Sequence, residues 1–105
     1  MNLLFICNQN KHRSKTAEEI FQGRYNTKSA GLYAQKPVTA QEMSWADTIL
    51  VMEERQRREL AQRFPKLYVQ KRILSLDIPD IYSYNDPQLI IILKSKMKGY
   101  SSILT

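Results

Sequence analysis

The chain has very little cysteine, histidine or glycine. Its 105 residues include one cysteine, Cys7, one histidine, His12, and three glycines. A lone cysteine cannot form an intrachain disulfide, and a free thiol fits a reducing compartment. One cysteine and one histidine provide no cluster with the spacing of metal ligands. We therefore expect a cytoplasmic protein that needs neither a metal nor another cofactor.

Long apolar runs are also missing. The longest extends from Leu89 to Leu93, which is far too short to span a bilayer. The apolar N-terminus is interrupted at once by Asn8, Gln9 and Asn10 and has no basic leader, unlike a signal peptide. We expect no membrane-spanning segment.

The composition is that of an ordinary globular protein with a basic balance. Hydrophobic residues make up 43% and charged residues 25%, so a disordered chain is excluded. The length fits one domain, which we place at residues 1–105. A net charge of +6 indicates anionic partners, among them nucleic acid, membrane surfaces and phosphorylated substrates. Charge alone does not choose among these.

Short apolar runs alternate with helical patterns, which predicts an α/β fold with a four-stranded parallel sheet flanked by helices in three layers. The predicted strands are 2–6, 27–30, 48–52 and 72–76. The predicted helices are 14–25, one capped by Thr39 and Glu42, 53–64 stopped by Pro65, and one capped by Asp86. The carboxyl ends of parallel strands meet at one edge of the sheet, where ligands bind. That edge gathers Cys7, Gly31, Glu53 and Asp77.

The segment from Cys7 to Arg13 joins the first strand to the first helix. A short loop before a helix N-terminus points backbone N–H groups inward and forms an anion site. Arg13 can clamp phosphate oxygens, and the helix and Arg13 both favour a Cys7 thiolate placed for attack on phosphorus. The alternative is that Cys7 is a buried strand residue and Arg13 a surface residue. The predicted phosphate-binding residues are Asn8, Gln9, Asn10, Lys11, His12, Arg13 and Ser14.

The loop and its surroundings resemble the low-molecular-weight protein tyrosine phosphatases. That family has an apolar strand followed by Cys-x-x-Asn-x-x-Arg-Ser, matched here by Cys7, Asn10, Arg13 and Ser14. It also has a Ser-Ala-Gly that matches residues 29–31, and residues 38–52 align without gaps. The resemblance implies a phosphotyrosine protein phosphatase I-like fold. It also implies a protein tyrosine phosphatase-like hydrolase that acts on phosphotyrosine or a small phosphomonoester through a phosphocysteine on Cys7.

The resemblance also implies the supporting roles. Ser14 would donate a hydrogen bond to the Cys7 thiolate, and Asn10 would brace the loop. The family's general acid is an aspartate before the last helix, for which Asp80 is the better match and Asp77 the alternative. Three tyrosines are candidates for an aromatic substrate rim or for local core: Tyr33, Tyr82 and Tyr84.

The chain departs from the family pattern at several positions. His12 replaces a second loop cysteine, Gln9 replaces a glycine, Lys15 replaces a proline, and Glu53 falls where an aspartate is usual. The segment between Gly31 and Val38 is short, so a helix and part of the rim are expected to be missing. These changes bear on substrate choice and turnover.

Other functions stay open at this point. An arsenate reductase on the same fold would have to borrow an external thiol, because no second cysteine is present. A rhodanese-type sulfur carrier has a similar loop, but the rest of the chain does not match. A binding module could hold a phosphate or oxyanion without turnover. No RNA- or DNA-reading motif is evident, and the basic clusters are interpreted as solvated helix faces: Arg55, Arg57, Arg58, Arg63, Lys66, Lys71 and Arg72, then Lys94, Lys96 and Lys98.

Overall fold

The computed structural model describes residues 1–104 and contains one four-stranded sheet. The strands are β1 (Asn2–Cys7), β2 (Asn26–Gly31), β3 (Thr48–Val51) and β4 (Arg72–Ser75). All neighbouring strands pair in parallel, in the order β2-β1-β3-β4. The predicted α/β class and four-stranded parallel sheet are confirmed.

Within residues 1–104, five helices connect and flank the strands. They are α1 (Arg13–Phe21), α2 (Ala40–Trp45), α3 (Glu54–Arg63), α4 (Pro65–Gln70) and α5 (Pro87–Gly99). None of the helices within residues 1–104 has the length and apolar character needed to cross a bilayer.

Two hydrophobic cores lie on opposite faces of the sheet. Successive side chains of a strand point to opposite faces, so β1 supplies both cores. Leu3 and Phe5 pack with α1 and α5, whereas Leu4 and Ile6 pack with α2 and α3. All four side chains are fully buried. Because each face of the sheet has its own core and its own helices, the protein has the three layers that were predicted: helices, sheet, helices.

Two of the predicted helix starts are present in detail. Thr39 accepts a hydrogen bond from the Glu42 amide while Glu42 accepts one from the Thr39 amide, which completes a capping box at α2. Asp86 accepts a hydrogen bond from the Gln88 amide, with Pro87 at the first position of α5. These caps fix where the two helices begin.

One predicted helix end was wrong, and one helix was missed. The first helix ends at Phe21 instead of Tyr25, because the chain turns around Gly23 and both Arg24 and Tyr25 donate to the Phe21 carbonyl. Pro65 was predicted to stop a helix, and α3 does end before it. Pro65 then starts α4, since proline lacks the N–H that a first helical position does not use. Sequence reasoning missed α4.

Candidate active site

The loop from Cys7 to Arg13 folds around the Cys7 sulfur. Cys7 ends β1 and is buried, 3% exposed. Asn10 adopts a left-handed conformation with φ of 55°, which asparagine tolerates better than most residues. This conformation turns the Asn10 amide back so that it donates to Cys7 Sγ at 3.2 Å. The bend therefore supports the sulfur with a backbone dipole.

A chain of polar side chains continues from the sulfur. Ser14 Oγ lies 2.8 Å from Cys7 Sγ and 2.7 Å from Asn10 Oδ1. A hydroxyl donates a single proton. When Cys7 is a thiol, its S–H donates to Ser14, which donates to Asn10. When Cys7 is a thiolate, Ser14 donates to the sulfur. The side-chain amide of Asn10 can then rotate so that its NH₂ group donates to the Ser14 oxygen. The arrangement can accommodate both ionisation states of Cys7.

Arg13 is buried although it carries a full charge. Its side chain is 1% exposed, and Nη1 donates to the Ile78 carbonyl at 2.6 Å and to Glu53 Oε2 at 2.9 Å. The alternative that Arg13 is a surface residue is therefore wrong. A buried guanidinium is stable only when it is paired and hydrogen-bonded. The two acceptors supply that pairing and fix the direction of the planar group.

Glu53 follows β3 and reaches across to the loop. Partial burial would by itself raise the pKa of Glu53. The hydrogen bonds and positive charges of Arg13 and Arg55 outweigh burial and hold the pKa below its ordinary value. Glu53 is therefore a stable counter-charge for Arg13.

A cavity of about 160 Å³ opens above Cys7. Its wall is formed by Cys7, Asn8, Gln9, Lys11, His12, Arg13 and Asp80. Of the predicted phosphate-binding residues, Asn10 and Ser14 are absent from this wall and instead contact the sulfur. The cavity brings together a thiol, a guanidinium and a carboxyl group.

The structure separates the two acid candidates. Asp80 lines the cavity, and its Oδ1 lies 3.7 Å from Arg13 Nε. Asp77 is exposed, adopts a left-handed conformation with φ of 55°, and lies outside the cavity wall. Of the two candidates, Asp80 is therefore the one that shares the cavity wall with Cys7 and Arg13.

The three tyrosines proposed for the rim lie outside the cavity wall. Tyr33 is 54% exposed and packs under the Arg63 guanidinium, 5.1 Å from its ring centre. Tyr82 packs against the core shared by α1 and α5. The Tyr84 hydroxyl donates to Glu19 on α1, which raises the pKa of the tyrosine, as do partial burial and the negative charge of Glu19.

Sequence reasoning missed one residue behind the loop, Gln56. Its side chain is 1% exposed; Oε1 accepts from the amides of Met52 and Glu53, and Nε2 donates to Asn8 Oδ1 at 3.0 Å. Gln56 thereby ties the start of α3 to the loop. Its position three residues after Glu53 has capping-box spacing, and that spacing was the available signal.

Gly31 was predicted at the binding edge, and the structure shows why it is small. A Cβ on Gly31 would lie 2.9 Å from the Asn8 carbonyl oxygen and 2.9 Å from the Gln9 carbonyl carbon. Real Cβ atoms essentially never approach other atoms so closely. The loop can therefore sit against the end of β2 only because residue 31 lacks a side chain.

Comparison with known proteins supports the fold assignment. The chain matches no protein-family model and no curated protein sequence. Among solved structures it is similar to the tyrosine phosphatase Wzb from Escherichia coli K30 in complex with phosphate. The TM-score is 0.80 at 19% identity, over 99% of this chain and 98% of that one.

Two further structures are similar over nearly the whole chain. The YwlE arginine phosphatase from Geobacillus stearothermophilus has a TM-score of 0.72 at 18% identity, over 98% and 95% of the two chains. A low molecular weight protein tyrosine phosphatase from Bacillus subtilis has a TM-score of 0.75 at 20% identity, over 97% and 98%. This chain has the fold of the low-molecular-weight protein tyrosine phosphatases.

Proposed function

We propose that this chain is a single-domain, cysteine-dependent phosphatase that hydrolyses phosphotyrosine or a similar phosphomonoester. The observation that carries the proposal is the buried Arg13 guanidinium in the wall of the Cys7 cavity. Both of its short hydrogen bonds use Nη1. Its Nε and Nη2 are then available for a bidentate contact with two phosphate oxygens.

The loop supplies further positive potential for a bound dianion. It precedes α1, whose N-terminus has no side-chain cap, and an uncapped helix N-terminus favours a bound anion. Lys11 and His12 lie in the same wall. The same wall contains one carboxyl group, that of Asp80, so its positive charges outnumber its negative ones. The site is thus complementary to phosphate.

The proposed reaction has two steps. The Cys7 thiolate attacks phosphorus, the bond from phosphorus to the phenolic oxygen breaks, and Asp80 donates a proton to the departing oxygen. Water then attacks the phosphocysteine while Asp80 takes up a proton, which releases inorganic phosphate and restores the thiolate. Arg13 and the loop amides stabilise the charge on the phosphoryl group in both steps.

Two properties of the similar structures support this chemistry. A mutant of the YwlE arginine phosphatase carries a phosphorylated active site serine, which fits attack by the side chain at the cysteine position. Wzb holds phosphate. For this chain we favour a tyrosine substrate over an arginine one, because Lys11 in the cavity wall would repel the guanidinium of phosphoarginine.

The test is hydrolysis of p-nitrophenyl phosphate under reducing conditions by the wild-type chain and by Cys7→Ser. We expect turnover by the wild type and none by the variant. Phosphate binding without turnover would instead indicate a binding module. Reduction of arsenate with an added thiol, without phosphatase activity, would indicate the reductase. Peptides carrying phosphotyrosine or phosphoarginine then test the substrate, and we expect the higher kcat/KM for phosphotyrosine.

A further inference from the structure

A second and larger cavity lies at the far end of α1 from the Cys7 loop. Its volume is about 560 Å³, within the range of about 300–1,000 Å³ that is usual for small-molecule sites. The distance along α1 from Arg13 to Phe21 is about 12 Å at 1.5 Å per residue. This cavity is therefore separate from the proposed catalytic site.

The floor of the cavity is apolar. Ile20 and Phe21 come from the last turn of α1, Tyr25 follows it, and Met97 comes from α5. Ile20, Phe21 and Tyr25 are only partly buried, so the groove leaves apolar surface in contact with water. Covering such surface is favourable by about 25 cal/mol for each Å² removed from water. An apolar ligand would gain that free energy.

The rim of the cavity is cationic. Arg24, Lys94 and Lys98 all line it, and among residues 1–104 no carboxyl group does. Within residues 1–104, none of these three side chains takes part in a salt bridge. Arg24 is held over the Tyr25 ring at 5.8 Å from its centre. The rim therefore has three positive charges that no acidic side chain in the described part of the chain neutralises.

We propose that this cavity binds a small amphiphilic anion, namely an unbranched alkyl chain with a carboxylate head. The alkyl chain covers the floor formed by Ile20, Phe21 and Met97, and the carboxylate accepts hydrogen bonds from the rim cations. The concave shape favours a small molecule over a flat protein partner. The proposal does not depend on the phosphatase activity.

Lysines at the end of α5 also stabilise the helix, and this effect must be distinguished from any contribution to ligand binding. Lys96 and Lys98 lie in the last turn of α5, where positive charge complements the helix dipole. Lys96 is exposed like Lys94 and Lys98 but is not part of the cavity wall. Lys96→Glu is therefore a matched control for charge reversal at the rim.

The experiment is calorimetric titration of the full chain with decanoate, below the concentration at which decanoate forms micelles. We expect saturable binding that Lys94→Glu combined with Lys98→Glu weakens by about tenfold or more, or about 1.4 kcal/mol. Lys96→Glu should change the affinity by less than about twofold. Decyltrimethylammonium, which has the same chain with a positive head, should bind more weakly than decanoate.

Methyl NMR locates the bound molecule. With methyl-labelled methionine, decanoate should shift the Met97 resonance and leave that of Met43, which lies in the other core, in place. Inorganic phosphate, the anion expected above Cys7, should not compete. The proposal is overturned if decanoate does not bind, if phosphate displaces it, if Met97 does not shift, or if Lys96→Glu weakens binding as much as the rim variant does.

Discussion

Arg13 Nη1 and Glu53 Oε2 lie 2.9 Å apart and join the first residue of α1 to the N-cap residue of α3. The pair is asymmetric in exposure, because the Arg13 side chain is 1% exposed and that of Glu53 is 25% exposed. Arg13 thus has little access to water and depends on Glu53 and the Ile78 carbonyl for its hydrogen bonds. Removing the charge of the Glu53 carboxylate should therefore lower the stability of the protein and loosen the position of Arg13 in the cavity wall.

We predict that Glu53→Gln lowers the free energy of unfolding by about 1–3 kcal/mol near neutral pH. The folded-state pKa of Glu53 is depressed, so its contribution is present above the ordinary value of 4.5 and is lost as pH falls through the folded pKa. The gap between wild type and variant should therefore close below that pH. Urea unfolding of wild type and variant at a series of pH values measures this difference in the free energy of unfolding.

Glu54→Gln is the matched control for that variant. Glu54 is the next residue, and its carboxylate is 57% exposed and pairs with Arg57 at 2.8 Å. Exposed pairs contribute about 0–1 kcal/mol, so this change should be small at every pH. An equal effect of the two variants would show that the Arg13–Glu53 pair has no special role.

We predict that Gly31→Ala displaces the loop. The new Cβ would meet the backbone of Asn8 and Gln9 at 2.9 Å, and backbone atoms cannot move aside as a flexible side chain can. We expect a loss of about 10²-fold in kcat/KM, since small misplacements at a catalytic site have effects of that size. Gly23→Ala has nothing within 4 Å of its new Cβ and should keep wild-type kinetics. Similar kinetics for both variants would contradict the close approach.

We predict that Gln56→Ala destabilises the protein by about 2–4 kcal/mol. The change leaves the backbone N–H of Glu53 without its acceptor and removes one of the two acceptors of the Met52 N–H, which also donates to the Ile6 carbonyl. It also leaves a buried gap and frees the Asn8 side chain. Gln62→Ala, at an exposed position of the same helix, should change stability by less than about 0.5 kcal/mol. Thermal and urea unfolding of both variants give the comparison. Equal stabilities would show that Gln56 does not hold the loop.

The sheet and most helix starts were predictable because they rest on local patterns. Continuous apolar runs indicated buried parallel strands. In β1 every residue except Asn2 is buried, and in β3 all four residues are buried. The Thr39–Glu42 and Asp86–Pro87 signals are equally local, since each cap is formed within a few residues. The loop could be placed because a strand precedes it and a helix follows it.

Contacts between distant residues were not predictable in the same way. The burial of Arg13 depends on acceptors 40 and 65 residues away, and no pattern near Arg13 encodes them. The choice between Asp80 and Asp77 likewise depends on how the segment before α5 returns to the loop. The start of α4 at Pro65 was missed because proline signals both a helix end and a helix start.

We predict that Asp80→Asn lowers kcat by about 10²–10³-fold and that Asp77→Asn changes it by less than about twofold. Loss of a general acid should be more severe for phenyl phosphate than for p-nitrophenyl phosphate, because p-nitrophenolate departs more easily without a proton. A purely structural role for Asp80 would affect both substrates equally. A larger effect from Asp77→Asn would place the acid there.

The most direct test of the account is detection of the covalent intermediate on Cys7. Asp80→Asn would be mixed with p-nitrophenyl phosphate, quenched, digested and analysed by mass spectrometry, since removal of the group that activates water should let the intermediate accumulate. The account predicts one phosphoryl group on the Cys7 side chain, and none in the variant that also carries Cys7→Ala. A phosphoryl group on His12, or turnover without any phosphorylated cysteine, would contradict it.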